Sequence, residues 1–303
     1  MLSFGVSASY AAVGPEWRAF IRRAEQWGFS TLYVADHVGM LDPFVALTAA
    51  AGESNHLALG TYVLNIEFWN PLLLARSAAT LDLLSEGRLV LGLGAGHAEV
   101  EFRQAGLAYP APAERVTKLE RTVDVLARLL GGETVDDDRL GLAGAGTGIP
   151  PARPQVPILI GGNGRRVLSL AGRSADVAGI VGFRSGTGQV HTDLSHWTWD
   201  GLADRIDVVR TAAEDRLTGP AFDLLVQRVV VTGDREAAAQ ELAQATGRDA
   251  GAHLASPFLL LGTEEEIAAQ LQRLEAEPGV SAITVFAPYA EVLAPIIERL
   301  GPG

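Results

Sequence analysis

Cysteine is missing from all 303 residues. That absence excludes disulfides, thiolate catalysis and cysteine-held metals, and it leaves extracellular stapling without support. Positive charge is also scarce: 24 Lys and Arg stand against 36 Asp and Glu, a net charge of −12. A nucleic-acid surface needs a concentrated basic excess, so no nucleic-acid partner is expected. Long hydrophobic runs are lacking too, since stretches such as 89–95 and 156–160 fall far short of the ~18 residues of a membrane span. The start, Met1 to Gly5, has no basic segment followed by an apolar one. Neither a signal peptide nor a membrane segment is expected, and the cytoplasm is the default location. The histidines, at 37, 56, 97, 191, 196 and 253, show no HExxH or similar ligand spacing, so no metal site is expected. Without a GxSxG elbow or a cysteine, nucleophilic hydrolysis has no candidate residue either.

What is present is a regular alternation. Short runs rich in Val, Ile and Leu cover residues 4–9, 31–35, 57–63, 89–93, 158–161, 177–181, 224–231 and 282–286. Segments of helical period lie at 15–27, 42–53, 71–84, 113–130, 164–171, 199–215, 235–245, 264–277 and 288–300. Eight apolar strands with helices between them, in a chain slightly above the ~250 residues typical of the architecture, predict one closed (β/α)8 TIM barrel with loop insertions, a single domain over residues 1–303. Asn70 and Thr263 are expected N-caps, Thr263 with Glu266 as a capping box, and Pro15 and Pro71 fit first helical positions. Residues 131–154, with three successive aspartates and glycines at 141, 144, 146 and 148, read as a flexible surface excursion. Residues 183–198, after the sixth strand, read as a loop at the active face, able to act as a lid.

A barrel builds its site at the C-terminal ends of its strands, so polar residues just after each apolar run are the candidates. Asp36 and His37 follow the second strand, an acid and an imidazole fit for proton work or, alone, a turn and a surface histidine. After the third come Asn65, Phe68, Trp69 and Asn70, a wall for a planar ligand or simply packing at the barrel top. After the fourth, Gly94, Ala95 and Gly96 strip side chains from the backbone ahead of His97. This GxGxG lacks the full GxGxxG pattern in a βαβ unit, and a nicotinamide Rossmann site is rejected. After the fifth, Gly161, Gly162, Asn163 and Gly164 run into a helix start beside Arg165 and Arg166. Free N–H groups, a positive dipole end and two guanidiniums suit a phosphate.

Together these junctions resemble the luciferase-like superfamily of flavin- and F420-dependent barrels. The segments that carry the resemblance are WGFSTLYVADH at 27–37, LGTYVL at 59–64, residues 70–82, and SEGRLVLGLGAG at 85–96, the most specific of them. PILIGGNG at 157–164, AGRSAD at 171–176 and SPFLLLGT at 256–263 extend it; the last looks like the family's late helix entry. The resemblance implies a cofactor ring against the third strand, with Tyr62-Val63 matching a non-proline cis peptide and bulge. It places Asp36 and His37 at the reactive edge, Gly94 to His97 along the ring, and the phosphate of the cofactor tail at Gly161 to Gly164. Asp36, His37 and His97 are thus the catalytic candidates. Tyr62, Val63, Asn65, Gly94, Ala95, Gly96, Arg115, Gly161, Gly162, Asn163, Gly164 and Arg165 are the cofactor-binding ones. Arg115 would reach the tail phosphate or pair with acids. His97 stands where sugar-phosphate-oxidising relatives carry a Glu, which puts that reaction in doubt. The implied function is an oxidoreductase that uses coenzyme F420 to move a hydride to or from a small organic substrate, most simply as an F420H2-dependent reductase and as a homodimer. The alternatives are an FMN-dependent monooxygenase and a non-catalytic flavin-binding protein.

Overall fold

The computed structural model describes residues 1–8, 15–182 and 197–301. Thirteen strands occur among them: β1 (Ser3–Ser7), β2 (Thr31–Val34), β3 (Ala58–Thr61), β4 (Leu64–Asn65), β5 (Leu89–Gly94), β6 (Val135–Asp137), β7 (Leu142–Ala145), β8 (Ile158–Gly162), β9 (Val177–Ile180), β10 (Ala221–Leu225), β11 (Arg228–Val231), β12 (Leu259–Gly262) and β13 (Ala282–Phe286). The α-helices among them are α1 (Pro15–Gln26), α2 (Pro43–Ala51), α3 (Pro71–Leu84), α4 (Glu99–Gln104), α5 (Pro112–Leu130), α6 (Arg165–Ser174), α7 (Trp199–Ala212), α8 (Arg235–Thr246), α9 (Ala250–Leu254), α10 (Glu264–Ala276) and α11 (Ala290–Leu300).

Eight strands pair side by side in the order β1, β2, β3, β5, β8, β9, β10, β13 and back to β1, every pairing parallel. The result is a closed (β/α)8 barrel. Its strands are covered by helices outside and by side chains inside, which is why they read as unbroken apolar runs instead of alternating ones. Helix starts follow their local chemistry. The Asn70 side chain accepts from the N–H groups of Leu72 and Leu73 at 3.0 and 3.2 Å, ahead of Pro71. Thr263 and Glu266 form the reciprocal capping box.

Three expectations need correction. The run 224–231 is not one strand: β10 ends at Leu225, and β11 leaves the barrel to pair in parallel with β12. The switch falls at Gln227, whose N–H donates to the Phe258 carbonyl while that of Val226 still donates to Thr284. Residues 259–262, taken as part of a helix entry, are therefore a strand. The excursion at 131–154 is not wholly irregular, because β6 and β7 form an antiparallel hairpin in it. Short helices α4 and α9 were not anticipated. Of the loop at 183–198, residues 183–196 lie outside the described residues, as do His191 and His196.

The barrel interior is polar at one level. The Tyr33 and Tyr62 rings meet edge to face, centroids 5.2 Å apart. Glycine makes the room: a Cβ on Gly60 would lie 2.5 Å from the Tyr33 ring, and one on Gly179 would lie 2.7 Å from the Tyr62 hydroxyl oxygen. Beside them Asp223, 1% exposed, accepts a 2.8 Å hydrogen bond from the Thr284 hydroxyl. Burial pushes the Asp223 carboxyl up to about 7, only partly opposed by that bond. Burial first, and Asp223 second, raises both phenols above their ordinary range.

Candidate active site

The candidate residues follow four neighbouring strands of the ring, β2, β3, β5 and β8, at their C-terminal ends. The strand after β2 is interrupted. β3 stops at Thr61, the Tyr62–Val63 peptide bond is cis, and the chain rejoins the sheet as β4, with Asn65 opposite Gly94. The Val63 side chain turns inward between β5 and β8, so that a Cβ on Gly94 or Gly161 would fall 2.6 or 2.8 Å from its methyl groups. Those two glycines admit the bulge itself. Gly96 has the same duty: its φ is +72°, and a Cβ there would lie 2.2 Å from the Asn65 side-chain oxygen. Asn65 is 6% exposed and accepts from the Glu67 N–H at 3.2 Å.

Asp36 does not stand free as a proton-handling acid. Its Oδ2 accepts from the Asn65 N–H at 3.1 Å and the Trp69 indole N–H at 2.8 Å, and its own N–H donates to the Val63 carbonyl at 3.4 Å. It braces the bulged segment against the end of β2. Burial raises its carboxyl, the bond from Trp69 pulling the other way. Phe68 and Trp69 are rim packing: Trp69 meets Phe44 at 5.3 Å, and Phe68 meets Phe102 at 5.3 Å.

His37 has a partner that no local motif announced. Its Nδ1 lies 2.8 Å from Oε1 of Glu101 on α4, with the two side chains 30% and 14% exposed. A carboxylate can only accept, so Nδ1 carries the hydrogen. The His97 ring stands edge-on to His37, centroids 5.5 Å apart. His97 is open to solvent on one side, but the protein packed around its ring lowers its pKa, with the neighbouring His37 acting the same way. Arg115, expected at the tail phosphate or an acid, is 5% exposed and turned elsewhere. Its Nε donates to the Gly96 carbonyl at 3.2 Å, a terminal nitrogen donates to the Pro110 carbonyl, and the guanidinium lies 4.2 Å over the Tyr109 ring. It locks the Gly96 turn from behind.

At the end of β8, Gly164 caps α6 with no side-chain hydrogen bond, and a Cβ there would meet nothing within 4 Å. Among the described residues nothing obstructs the first turn of α6, and no side-chain cap claims its N–H groups. Arg165 is exposed beside it, whereas Arg166 is paired with Glu120 at 2.5 Å and with Thr117. A cleft of about 610 Å3 lies outside this rim, lined in part by Trp69, Lys118, Arg121 and Arg139. Two of its three cations have acids, Lys118 with Glu67 at 2.8 Å and Arg121 with Asp137 at 3.7 Å, and of the candidate strand ends it touches only Trp69 and Asn70.

A closed barrel carrying an imidazole–carboxylate couple, a bulged strand and an anion-ready helix start at one set of strand ends defines the general class. More particularly, the chain belongs to the luciferase-like monooxygenase family, which it matches over residues 3–254. It is 35% identical over 190 residues to an F420-dependent glucose-6-phosphate dehydrogenase of Intrasporangium calvum, covering 58% of this chain and 57% of that enzyme. To a protein of the same description from Nakamurella multipartita it is 30% identical over 252 residues, 79% of this chain and 71% of the other. The chain thus spans little more than half of the first of these relatives. An F420-dependent secondary alcohol dehydrogenase, solved with an F420–acetone adduct, superposes with a TM-score of 0.78 at 18% identity over 99% of both chains, which establishes the shared fold.

Proposed function

We propose that the protein is an F420-dependent oxidoreductase acting on a small organic substrate, chiefly as an F420H2-dependent reductase. The observation that carries this reading is the grouping at four adjacent strand ends of a carboxylate-held His37, the Tyr62–Val63 bulge and the open first turn of α6. The residues fit the coenzyme. The space in front of Gly164, the uncapped N–H groups and Arg165 suit a tail phosphate. The stretch Gly94 to His97 and the bulge form the side walls for a planar ring. Bound there, the coenzyme supplies a two-electron hydride donor or acceptor at C5 of its deazaflavin ring. His37 gives or takes the accompanying proton at Nε2, the nitrogen left over by Glu101. Asp36 and Arg115 hold the two walls, and Asn65 sets the bulge.

The relatives whose names specify F420 support this cofactor over the alternative, FMN in a monooxygenase, which the family description keeps in view. The whole chain is read as one domain. A homodimer is supported by α2, whose nine residues contain no charge, and by the exposure of Val45 (71%) and of Leu73 (49%) on the neighbouring α3. No described helix is long and apolar enough to cross a membrane, and we place the protein in the cytoplasm. Parallel titrations with F420 and FMN test the reading: F420 should bind at micromolar concentration or below, its fluorescence changing on binding, and FMN should bind more weakly. Failure of F420 to bind, with FMN binding well, would overturn it.

A further inference from the structure

Glu101 is an unusual carboxylate for this rim. Two other partly covered acids nearby are matched by permanent cations, Glu67 by Lys118 and Glu120 by Arg166 and Arg173, while Asp36 is held by the Asn65 N–H and the Trp69 indole. Among the described residues no Lys or Arg pairs with Glu101; its single charged partner is an imidazole. The short helix that carries it is not a loose element. The next residue, Phe102, is fully buried, and its ring packs on Phe68 at 5.3 Å and Tyr109 at 4.9 Å. Three aromatic side chains thus fix α4, and with it the position of Glu101, to the rim. A carboxylate fixed this firmly and offered only a titratable partner stabilises the fold less than an Arg pair would, because a neutral imidazole leaves a hydrogen bond alone. What it does well is orient. Rotating the His37 ring by half a turn would replace Nδ1 with a carbon and break the bond, so one ring face and one tautomer are selected.

Building on the proposed function, we propose that Glu101 is the positioning residue of the site: it fixes His37 through Nδ1 and leaves Nε2 as the atom that exchanges a proton with the substrate. Among the described residues, the charged and titratable groups around His37 are Asp36 in its own segment, Glu101 on α4, and His97 after β5, itself under the influence of Arg115. Only Glu101 among the described residues bonds the ring directly.

The test uses Glu101→Gln, which keeps the shape and removes the charge, with Glu101→Asp as a second variant. In the cofactor-free protein, imidazole 15N resonances of His37 should report the Nδ1–H tautomer, and Glu101→Gln should mix the two tautomers. In the F420-loaded enzyme, Glu101→Gln should leave the F420 Kd within about twofold and lower kcat about ten- to hundredfold. Glu101→Asp should recover part of kcat. A His37 tautomer identical in native protein and Glu101→Gln would overturn the proposal, and so would a loss of kcat that only follows a loss of folded protein. Failure of the native protein to bind F420 would sink the function proposed above while leaving the 15N measurement to decide on Glu101.

Discussion

Replacing Asp223 with Asn should make the protein more stable at alkaline pH, by an amount that the barrel interior sets. The carboxyl is 1% exposed and its pKa is pushed up to about 7, whereas an unfolded Asp titrates near 3.9. Because the folded value is the higher one, the folded state holds the proton more tightly. Its stabilising effect is complete below about pH 4 and is lost as pH rises through about 7. Over the whole window the loss is about 4 kcal/mol, at about 1.4 kcal/mol for each pH unit, and between pH 5 and pH 8 it is roughly 2.5 kcal/mol. Asn keeps an oxygen for the Thr284 hydroxyl and never ionises, so the variant lacks this slope. For a chain of this size that difference corresponds to roughly 4 °C in Tm. The assay is a set of thermal melts of both proteins at pH 5 and pH 8, read as the change in the gap between them. Any constant penalty from the substitution cancels in that comparison. A gap that stays the same at both pH values would show that Asp223 does not titrate in this window.

Two further substitutions separate fold from binding. Gly164→Asp adds a preferred N-cap where nothing obstructs a side chain, so the melt should rise slightly, by a few tenths of a kcal/mol. The same charge should repel a tail phosphate and weaken F420 at least tenfold, more at low salt than at high; unchanged affinity would remove the anion site from that turn. Gly96→Ala forces an L-residue to φ +72° against Asn65, at about 1–2 kcal/mol for the backbone alone. A visibly lowered Tm is expected, and a melt equal to that of the parent would mean the Asn65 contact is easily relaxed.

The barrel was legible because its signal is local and repeated: apolar strands, capped helices and polar residues at each strand end. Partner choice was not. Val229 to Val231 looks the same in sequence whether it extends β10 or pairs with β12, and only the step at Gln227 decides. The site divides in the same way. Asp36 and His37 and the turn at Gly164 announce themselves by position after a strand, whereas the Tyr62–Val63 bulge was expected only from the family resemblance. Glu101 lies 64 residues from His37, on a helix too short to show a period, and no spacing rule connects them. Gly94 and Gly96 read as clearance for a ligand and Gly161 as part of a phosphate turn; the structure adds that they admit Val63 and Asn65. Arg115 and Asp36 were chosen for their charge, yet they bind backbone groups and the Trp69 indole. A residue's type says which bonds it can form, and packing decides which it does.

Tyr62 reaches into the barrel toward Asp223, its hydroxyl donating to that residue's carbonyl at 3.4 Å, and Gly161 and Gly179 flank its ring. The glycines that let the phenol in have no side chains with which to refill its place. Trimming Tyr62 to alanine would thus leave a hollow inside the barrel beside Asp223. For anyone wishing to admit a bulkier or hydrogen-bonding substrate, that single position is the place to dig.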